Sequence, residues 1–336
     1  MQKSKVSHGT KVAIVSAHIY DRKLLASFME AAANLDANAV RVIPPPNDKD
    51  GKLVSPGLAN PYFREIVKKS EVIFDVMSPE VPWVIPLYTP EFDEILASGT
   101  RLLSFMLHNY ESNLRRLFPT DGLYKRSWNG AKAMAKAKKI RITSKAGTDL
   151  TMSKEGRKGH KQVGVSDYPG MWDNYGFGLV ACAPIEETVE GTLVISPGDY
   201  ILGVGIDCMD PIKVTFKGGV VRDVAGDGWS AMLFKRWIAN HDEGVKRVSH
   251  IGWGTHENAV WRDNTAFAGT ADAESVYGLM QIALGINLFD TPHPNSGLGG
   301  KNKANGHCDI DCLGHDFYLD DELICKNGTI VHPDYK

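Results

Sequence analysis

Lys11-Val12-Ala13-Ile14-Val15-Ser16 is a short apolar run rich in β-branched residues, which is typical of a buried β-strand. Residues 22–35 follow it with helical periodicity and many alanines, and Ala39-Val40-Arg41-Val42-Ile43 is a second extended run. A strand, a helix and a strand in this order build a parallel sheet, because two parallel strands need a crossover connection between them. The beginning of the chain therefore predicts a parallel sheet covered by helices.

The alternation of strands and helices continues to about residue 138. Helical periodicity recurs at 63–69, 91–97 and 123–138, and extended runs recur at 71–76, 101–105 and 140–144. We predict an N-terminal Rossmann-like α/β domain over residues 1–138. The segment carries no G-x-G-x-x-G fingerprint, so it does not predict a dinucleotide site.

The second part of the chain has a different character, with short β-rich segments separated by turns. Extended runs occur at 191–195, 212–216 and 220–224, and helical stretches at 229–240 and 273–284. Lys217-Gly218-Gly219 joins two of the extended runs and predicts a hairpin. We predict an α+β domain with a mainly antiparallel sheet over residues 139–336, and we expect this domain to carry the metal site described below.

Composition excludes several classes of function. The 336 residues are 43% hydrophobic and 23% charged, and the net charge of -2 gives no general attraction to nucleic acid or to an anionic membrane. No apolar stretch approaches the roughly 20 residues of a membrane helix, and the first ten residues lack the apolar core of a signal peptide. Five cysteines are few and odd in number, which argues against a disulfide framework. We expect a cytoplasmic protein.

The stretch Gly306-His307-Cys308-Asp309-Ile310 carries the chemistry that stands out most. On a strand, His307 and Asp309 point to one face with Cα atoms roughly 6–7 Å apart, so both can reach one metal ion. His250 would have to come from a neighbouring strand. Two imidazoles and one carboxylate are the ligands of a 2-His-1-carboxylate iron(II) site, which leaves coordination positions open for substrate and dioxygen. From spacing alone, three unrelated polar residues on the surface are the favoured interpretation.

Two other patterns compete with this interpretation. Cys308 and Cys312 lie near histidines and resemble zinc ligands, but on one strand they would be roughly 13 Å apart. Buried thiols are the simpler interpretation of both. Gly297-Leu298-Gly299-Gly300-Lys301 lacks the spacing of a P-loop. We interpret it as a loop beside the metal site, where Lys301 could approach an anionic ligand.

Several segments, in order along the chain, carry a resemblance to a known family. They are Arg141-Ile142-Thr143-Ser144-Lys145-Ala146-Gly147-Thr148-Asp149, Pro169-Gly170-Met171-Trp172-Asp173, Glu190-Gly191-Thr192-Leu193-Val194, Ser249-His250-Ile251-Gly252-Trp253-Gly254, Gly299-Gly300-Lys301, His307-Cys308-Asp309-Ile310 and Tyr318-Leu319-Asp320-Asp321. With them the chain resembles the 2,5-dihydroxypyridine 5,6-dioxygenases, iron(II) enzymes of pyridine degradation. Their fold is distantly related to that of the M29 metallo-aminopeptidases.

The resemblance implies the site and its chemistry. His250, His307 and Asp309 are expected to bind Fe²⁺, and both atoms of O₂ are expected to enter a hydroxylated pyridine or a similar N-heteroaromatic. The product would be of the N-formylmaleamate type. The resemblance also implies a homo-oligomer, and we expect neither nucleic acid nor a membrane as a partner.

The chain departs from the family at positions around the metal. Asn174 stands where family members carry a histidine thought to act as the acid–base group, and an amide cannot exchange a proton near neutral pH. Tyr88, next to Leu87, stands where they carry another histidine, and Asp290 stands where they carry a serine. We expect Leu87, Tyr88, Asn174 and Lys301 to bind substrate. Candidates for the missing acid–base group are Tyr88, Asp290, His256 and His293, and each is also compatible with a solvated loop residue.

Three functional hypotheses remain from the sequence. The first is a ring-cleaving, iron(II)-dependent dioxygenase. The second is a metallo-aminopeptidase-like hydrolase, which would need more carboxylate ligands than the triad supplies. The third is a ligand-binding descendant without activity, because Asn174 removes the family's proton-exchanging group.

Overall fold

A computed structural model describes residues 1–16, 22–43, 60–76, 90–105, 110–261, 270–287 and 297–336. The strands are β1 (Lys11–Ser16), β2 (Asn38–Val42), β3 (Val72–Val76), β4 (Arg101–Phe105), β5 (Lys139–Ser144), β6 (Asp149–Ser153), β7 (His160–Gln162), β8 (Trp172–Asn174), β9 (Leu179–Cys182), β10 (Glu190–Ile195), β11 (Tyr200–Ile201), β12 (Ile206–Asp207), β13 (Ile212–Lys217), β14 (Val220–Ala225), β15 (Val248–Gly254), β16 (Met280–Gly285), β17 (His307–Cys312), β18 (His315–Leu319), β19 (Glu322–Lys326) and β20 (Thr329–Ile330). The helices are α1 (Arg22–Asn34), α2 (Pro61–Lys69), α3 (Pro90–Ala97), α4 (Tyr110–Arg116), α5 (Asp121–Lys136), α6 (Trp229–Ala239) and α7 (Thr270–Ala273), with 3-10 turns at Gln2–Ser4, Glu186–Thr188, Glu243–Lys246 and Pro333–Tyr335. None of the helices in these ranges is both long and apolar enough to cross a bilayer.

The first compact unit comprises the described residues of Met1–Pro119 and Gln162–Phe177. Its sheet has the order β2-β1-β3-β4-β8, and every neighbouring pair is parallel. Strand β3 is buried along its whole length, as expected where helices cover both faces of a parallel sheet. The predicted Rossmann-like parallel sheet is therefore confirmed, with a fifth strand, β8, that the sequence did not reveal.

The second unit comprises the described residues of Thr120–Lys161, Gly178–Asp290 and Pro294–Lys336. It contains an eight-stranded sheet, β14-β13-β10-β6-β5-β18-β19-β20, and a seven-stranded sheet, β12-β11-β17-β16-β15-β9-β7. One continuous apolar core draws side chains from both, including Ile142 and Phe317 of the first sheet and Ile251 and Ile310 of the second. The predicted antiparallel α+β architecture is confirmed, and so is the hairpin between β13 and β14.

The structure divides the chain differently from the predicted boundary at residue 138. Helix α5 belongs to the second unit, because Gly130 on this helix lies directly against Val180 and Trp253. A Cβ added at Gly130 would come within 2.8 Å of Val180, so the close approach needs glycine. The segment Gln162–Phe177 then returns to the first unit, where it supplies β8.

The prediction of a helix over residues 273–284 is wrong. The helix α7 ends at Ala273, and Met280–Gly285 forms strand β16, which is buried along its whole length. A short apolar run has the same composition in a buried helix and in a buried strand, so periodicity could not distinguish them here. The difference matters because β16 lies at the centre of the candidate site.

A buried carboxyl group connects two turns of the second unit. The Asp199 side chain accepts hydrogen bonds from the backbone N–H groups of Ser196 at 2.7 Å and Leu313 at 2.8 Å. Burial raises the pKa of Asp199 to about 6 in spite of these bonds, from an ordinary value of 3.8.

We expect Asp199→Asn to be most costly at low pH. The native protein holds the Asp199 proton more tightly than the unfolded chain does. The stabilisation of the folded state that Asp199 contributes is therefore lost as pH rises from about 4 to about 6. Asparagine does not ionise, and the stability lost through Asp199→Asn should fall by about 3 kcal/mol between pH 4 and pH 7. Urea unfolding of both proteins across this range measures the change, and a pH-independent difference would contradict it.

Candidate metal centre

The three sequence-predicted ligands lie on neighbouring strands of the seven-stranded sheet. Ala283 of β16 is in register with His250 of β15 on one side and with Asp309 of β17 on the other. His307 lies two residues before Asp309, on the same face, because alternate residues of a strand share a face. The small side chain of Ala283 leaves space between His250 and Asp309, so the three side chains can meet above it.

The donor atoms of His250, His307 and Asp309 converge on one point. Oδ1 of Asp309 lies 3.3 Å from Nε2 of His250 and 3.3 Å from Nε2 of His307. One ligand atom from each of the three residues lies within 4.8 Å of the others. Among the residues that the structure describes, this is the one group of three or more histidine, cysteine, aspartate or glutamate side chains that could hold a metal ion. We call these three residues the metal centre.

Neighbouring groups orient the imidazole of His307 and keep the carboxyl group of Asp309 ionised, and both effects favour binding of a cation. Nδ1–H of His307 donates to the backbone carbonyl of Ile286 at 2.8 Å, which leaves Nε2 facing Asp309. Burial by itself raises the pKa of Asp309, but His307 and His250 hold the pKa well below its ordinary value. Burial also opposes a charge on His307, yet Asp309 and the Ile286 carbonyl raise the pKa of that imidazole. Asp309 is therefore ionised, as a metal ligand must be.

The cysteines lie on the other side of the same strand. Cys308 and Cys312 alternate with Asp309, and both are fully buried in the apolar core. Burial raises the pKa of Cys308 and Cys312, so neither favours the thiolate that binds zinc. The interpretation as inert buried thiols is supported.

Three polar side chains near the metal centre were missed by sequence reasoning. Oε1 of Gln281 lies 3.1 Å from Nε2 of His250. Glu274 is half-buried, and burial together with Asp309 and Asp311 raises its pKa well above the ordinary value. Asp311 continues the alternation of His307 and Asp309 along β17, which is a signal the sequence did contain. Gln281 and Glu274 were hidden by the wrong helix prediction over residues 273–284.

The glycine-rich loop lies against the same sheet. The Ala183 N–H donates to the carbonyl of Leu298 at 3.1 Å, and Leu298 packs with Leu179 and Ala181 of β9. The N–H of Gly297 donates to Nδ1 of His160 at 3.1 Å. Burial, Lys161 and His250 all lower the pKa of His160, so this imidazole is neutral near pH 7. Sequence reasoning did not single out His160.

A largely buried ion pair anchors the other end of this loop. Arg157 pairs with Glu186 and donates to the carbonyl of Gly299. The other oxygen of Glu186 accepts from the backbone N–H of Lys301 at 2.6 Å. The Lys301 side chain itself is exposed.

We expect Arg157→Met to loosen this loop without removing the metal centre. The variant loses the ion pair with Glu186 and the hydrogen bond to the Gly299 carbonyl. Hydrogen exchange of the Lys301 amide should therefore become faster by about tenfold or more, because local opening of the loop becomes easier. Arg141→Met is the matched control, since Arg141 pairs with Asp149 on an exposed surface. Equal exchange of the Lys301 amide in the two variants would contradict the anchoring role of Arg157.

The remaining predicted site residues are not assembled in the described part of the chain. Asn174 is buried in β8 of the first unit, where its Oδ1 has no hydrogen-bond partner among the described residues. His256 is buried just beyond the end of β15, and Nδ1 accepts from the Asn258 N–H at 3.2 Å. It lies six residues after His250, and six fully extended residues span at most about 20 Å. The predicted residues Leu87, Tyr88, Asp290 and His293 lie outside the described residues.

Comparison with known proteins gives a consistent result over the whole chain. The family model described as NicX, 2,5-dihydroxypyridine 5,6-dioxygenase, matches residues 1–332. A curated 2,5-dihydroxypyridine 5,6-dioxygenase of Pseudomonas putida (strain KT2440) is 28% identical over 345 residues, which cover 98% of this chain and 93% of the relative.

Solved structures agree with the sequence comparison. The structure of 2,5-dihydroxypyridine dioxygenase from Pseudomonas putida KT2440 superposes with a TM-score of 0.87 and 26% identity, covering 100% of this chain and 96% of the other. Wild-type AmpT from Thermus thermophilus superposes with a TM-score of 0.68 and 16% identity, covering 98% and 96%. The second likeness shows a shared fold.

Proposed function

The chain belongs to the 2,5-dihydroxypyridine 5,6-dioxygenase family, and on this premise we propose that it is an iron(II)-dependent enzyme that cleaves the ring of a hydroxylated pyridine or a similar N-heteroaromatic. The observation that carries the proposal is the convergence of His250, His307 and Asp309 on one point. The substrate of the curated relative, 2,5-dihydroxypyridine, is the first candidate.

The donor set fits iron(II). Two imidazole nitrogens and one carboxylate oxygen are the ligands of mononuclear iron(II) oxygenases, and they leave coordination positions for other ligands. The ionised Asp309 offsets one charge of a dication, and His307 is oriented by its bond to the Ile286 carbonyl. When bound, iron(II) would allow electrons to pass from the electron-rich ring to dioxygen, and the ring itself would supply the electrons that reduce dioxygen.

The protein's own residues would hold and orient the reactants. We propose that Leu87, Tyr88, Asn174 and Lys301 bind the substrate, as the resemblance to the family implies. The buried Asn174 oxygen has no hydrogen-bond partner within the described part of the chain, which supports a hydrogen bond from a ligand, because such an oxygen is costly to leave unsatisfied. Since an amide does not exchange protons near neutral pH, Asn174 would orient the substrate and leave proton transfer to another group.

The identity of that proton-transferring group is a separate part of the proposal. Tyr88 and Asp290 are the preferred candidates, because both stand at positions where the family has polar site residues. His256, which lies beyond the end of β15, and His293 are the other candidates.

A metallo-aminopeptidase-like hydrolase is not favoured. Two-metal hydrolases need ligands for a second ion, and among the described residues the metal centre is the one qualifying group. Metal analysis separates the two functions, since one iron per chain supports the dioxygenase and two zinc or cobalt ions support the hydrolase.

An oxygen electrode provides the direct test of the proposed function. The protein is loaded anaerobically with iron(II) and mixed with dihydroxypyridines and trihydroxypyridines, with and without a carboxyl group. We expect uptake of one O₂ per ring cleaved and a product heavier by both oxygen atoms. Absence of uptake with every member of this set, in a protein that has bound iron, would contradict the proposal.

We further propose that the enzyme is a cytoplasmic homo-oligomer. The five cysteines are all free and buried, which is compatible with a reducing compartment. Analytical ultracentrifugation measures the oligomeric state, and a monomer at all concentrations would contradict that part of the proposal.

A further inference from the structure

Strand β16 presents three residues to the face that holds the metal centre. They are Gln281, Ala283 and Gly285, which stand opposite Asp311, Asp309 and His307 on β17. Ala283 and Gly285 contribute little or no side chain. Gln281 is therefore the one long polar side chain that β16 offers to the space between His250 and Asp309.

The Gln281 oxygen is as close to Nε2 of His250 as the oxygen of Asp309, the proposed carboxylate ligand, is. Oε1 of Gln281 lies 3.1 Å from Nε2 of His250, whereas Oδ1 of Asp309 lies 3.3 Å from the same nitrogen. Two atoms bound at about 2.1 Å to one ion and at right angles to each other are about 3 Å apart. Both separations thus match a pair of neighbouring ligands on one ion.

Burial gives a second reason to assign a role to this amide. Gln281 has 0% relative exposure, and a buried polar group is stable only with polar partners. Nδ1 of His250 has no hydrogen-bond partner among the described residues, so the polar contacts of this imidazole gather at Nε2. Amide carbonyl oxygens are suitable ligands for divalent cations of the harder kind.

We propose that Gln281 is a fourth protein ligand of the metal centre, its side-chain oxygen binding the ion next to His250. This inference rests on the metal centre of the proposed function. A fourth protein ligand would reduce the number of coordination positions left for substrate and dioxygen. Gln281 would then help to determine which substrates fit at the ion.

The same distance has another physical meaning with the opposite consequence. If Oε1 of Gln281 only accepts the proton of Nε2 of His250, it competes with the ion for that nitrogen. Removal of the amide would then strengthen metal binding. The sign of the change in affinity therefore separates the two roles.

Anaerobic titration with iron(II) and with cobalt(II) tests the proposal. Gln281→Met keeps the length of the side chain and removes its oxygen, so we expect metal binding to weaken by about 10- to 100-fold. The visible spectrum of bound cobalt(II) should also change, because it reports the number and type of ligands. Gln281→Glu restores an oxygen at the same reach and should bind both ions at least as tightly as the wild type.

Met280→Leu is the matched control, since Met280 lies on the same strand and points into the core on the other face. It should leave affinity and spectrum unchanged. Unchanged or tighter binding by Gln281→Met, or a Gln281→Glu variant with weakened binding, would overturn the role of Gln281. If the wild type itself failed to bind metal, the proposed metal centre would be contradicted. This result is distinguishable from a failure of the proposal for Gln281 alone.

Discussion

Replacing His307 with alanine is expected to abolish both metal binding and oxygen uptake. His307 supplies one of two imidazole nitrogens, and its ring is fixed by the bond from Nδ1 to the Ile286 carbonyl. The variant would leave one imidazole and one carboxylate, with the Gln281 amide as a further proposed donor, and would lack the second imidazole of a 2-His-1-carboxylate iron(II) site. Iron content per chain after desalting and the rate of oxygen uptake with the best hydroxypyridine measure the two losses.

His241, which lies close to the start of β17 but outside the metal centre, provides the control. His241 lies against Gly306, the residue before His307, and its Nδ1 contacts the Trp237 carbonyl at 2.7 Å. We expect His241→Ala to keep iron and oxygen uptake, since its ring is not among the converging donors. If His307→Ala retained full oxygen uptake, the assignment of the metal centre would be wrong.

The candidate site was predictable to the extent that it depends on one strand. His307 and Asp309 share a face because alternate residues of any strand do, and the sequence alone fixes this. The contribution of His250 depends on which strands are neighbours, and the structure supplies that through the register at Ala283. Local pattern carries no information on register between strands separated by many residues.

Two of the missed residues, Gln281 and Glu274, follow from a single misassignment of secondary structure. Met280–Gly285 is an apolar run that a buried strand and a buried helix share, and choosing the helix removed Gln281 from consideration. Tertiary packing decides between the two states, because β16 is flanked by β15 and β17 and has no free edge. The sequence does not report those neighbours.

The fold was predictable where the signal is local. Strands β1, β3 and β4 alternate with helices within short segments, and their parallel sheet was confirmed. Strand β8 joins that sheet from residues 172–174, far along the chain, and only three residues form it. Such a short segment has no periodicity to recognise, so neither β8 nor the return of the chain to the first unit could be foreseen.

The two faces of strand β15 have different roles, one at the metal centre and the other in the apolar core. His250 faces the metal centre, whereas Ile251 and Trp253 enter the core shared by the two large sheets. Changes on one face should therefore leave the other property largely intact. Trp253 offers the strongest test, because it is among the largest fully buried side chains of the described residues.

Trp253→Ala is expected to lower the free energy of unfolding by about 3–5 kcal/mol, through lost transfer energy and the cavity left behind. The indole packs edge-on against Phe317 at 4.9 Å between ring centroids and lies beneath Gly130 of α5, so both neighbours would lose contacts. Urea unfolding of the metal-free protein measures the loss.

Trp253→Phe tests the same site with most of its packing kept. The indole N–H finds no hydrogen-bond partner among the described residues, so phenylalanine sacrifices volume and no hydrogen bond, and it should cost substantially less than alanine. Both variants should bind iron(II) with nearly wild-type affinity while folded, because His250 keeps its place on the opposite face. If Trp253→Ala still unfolded cooperatively but no longer bound iron(II), the expectation that the two faces of β15 act independently would be wrong. Packing in the core would then be needed to hold His250 in place.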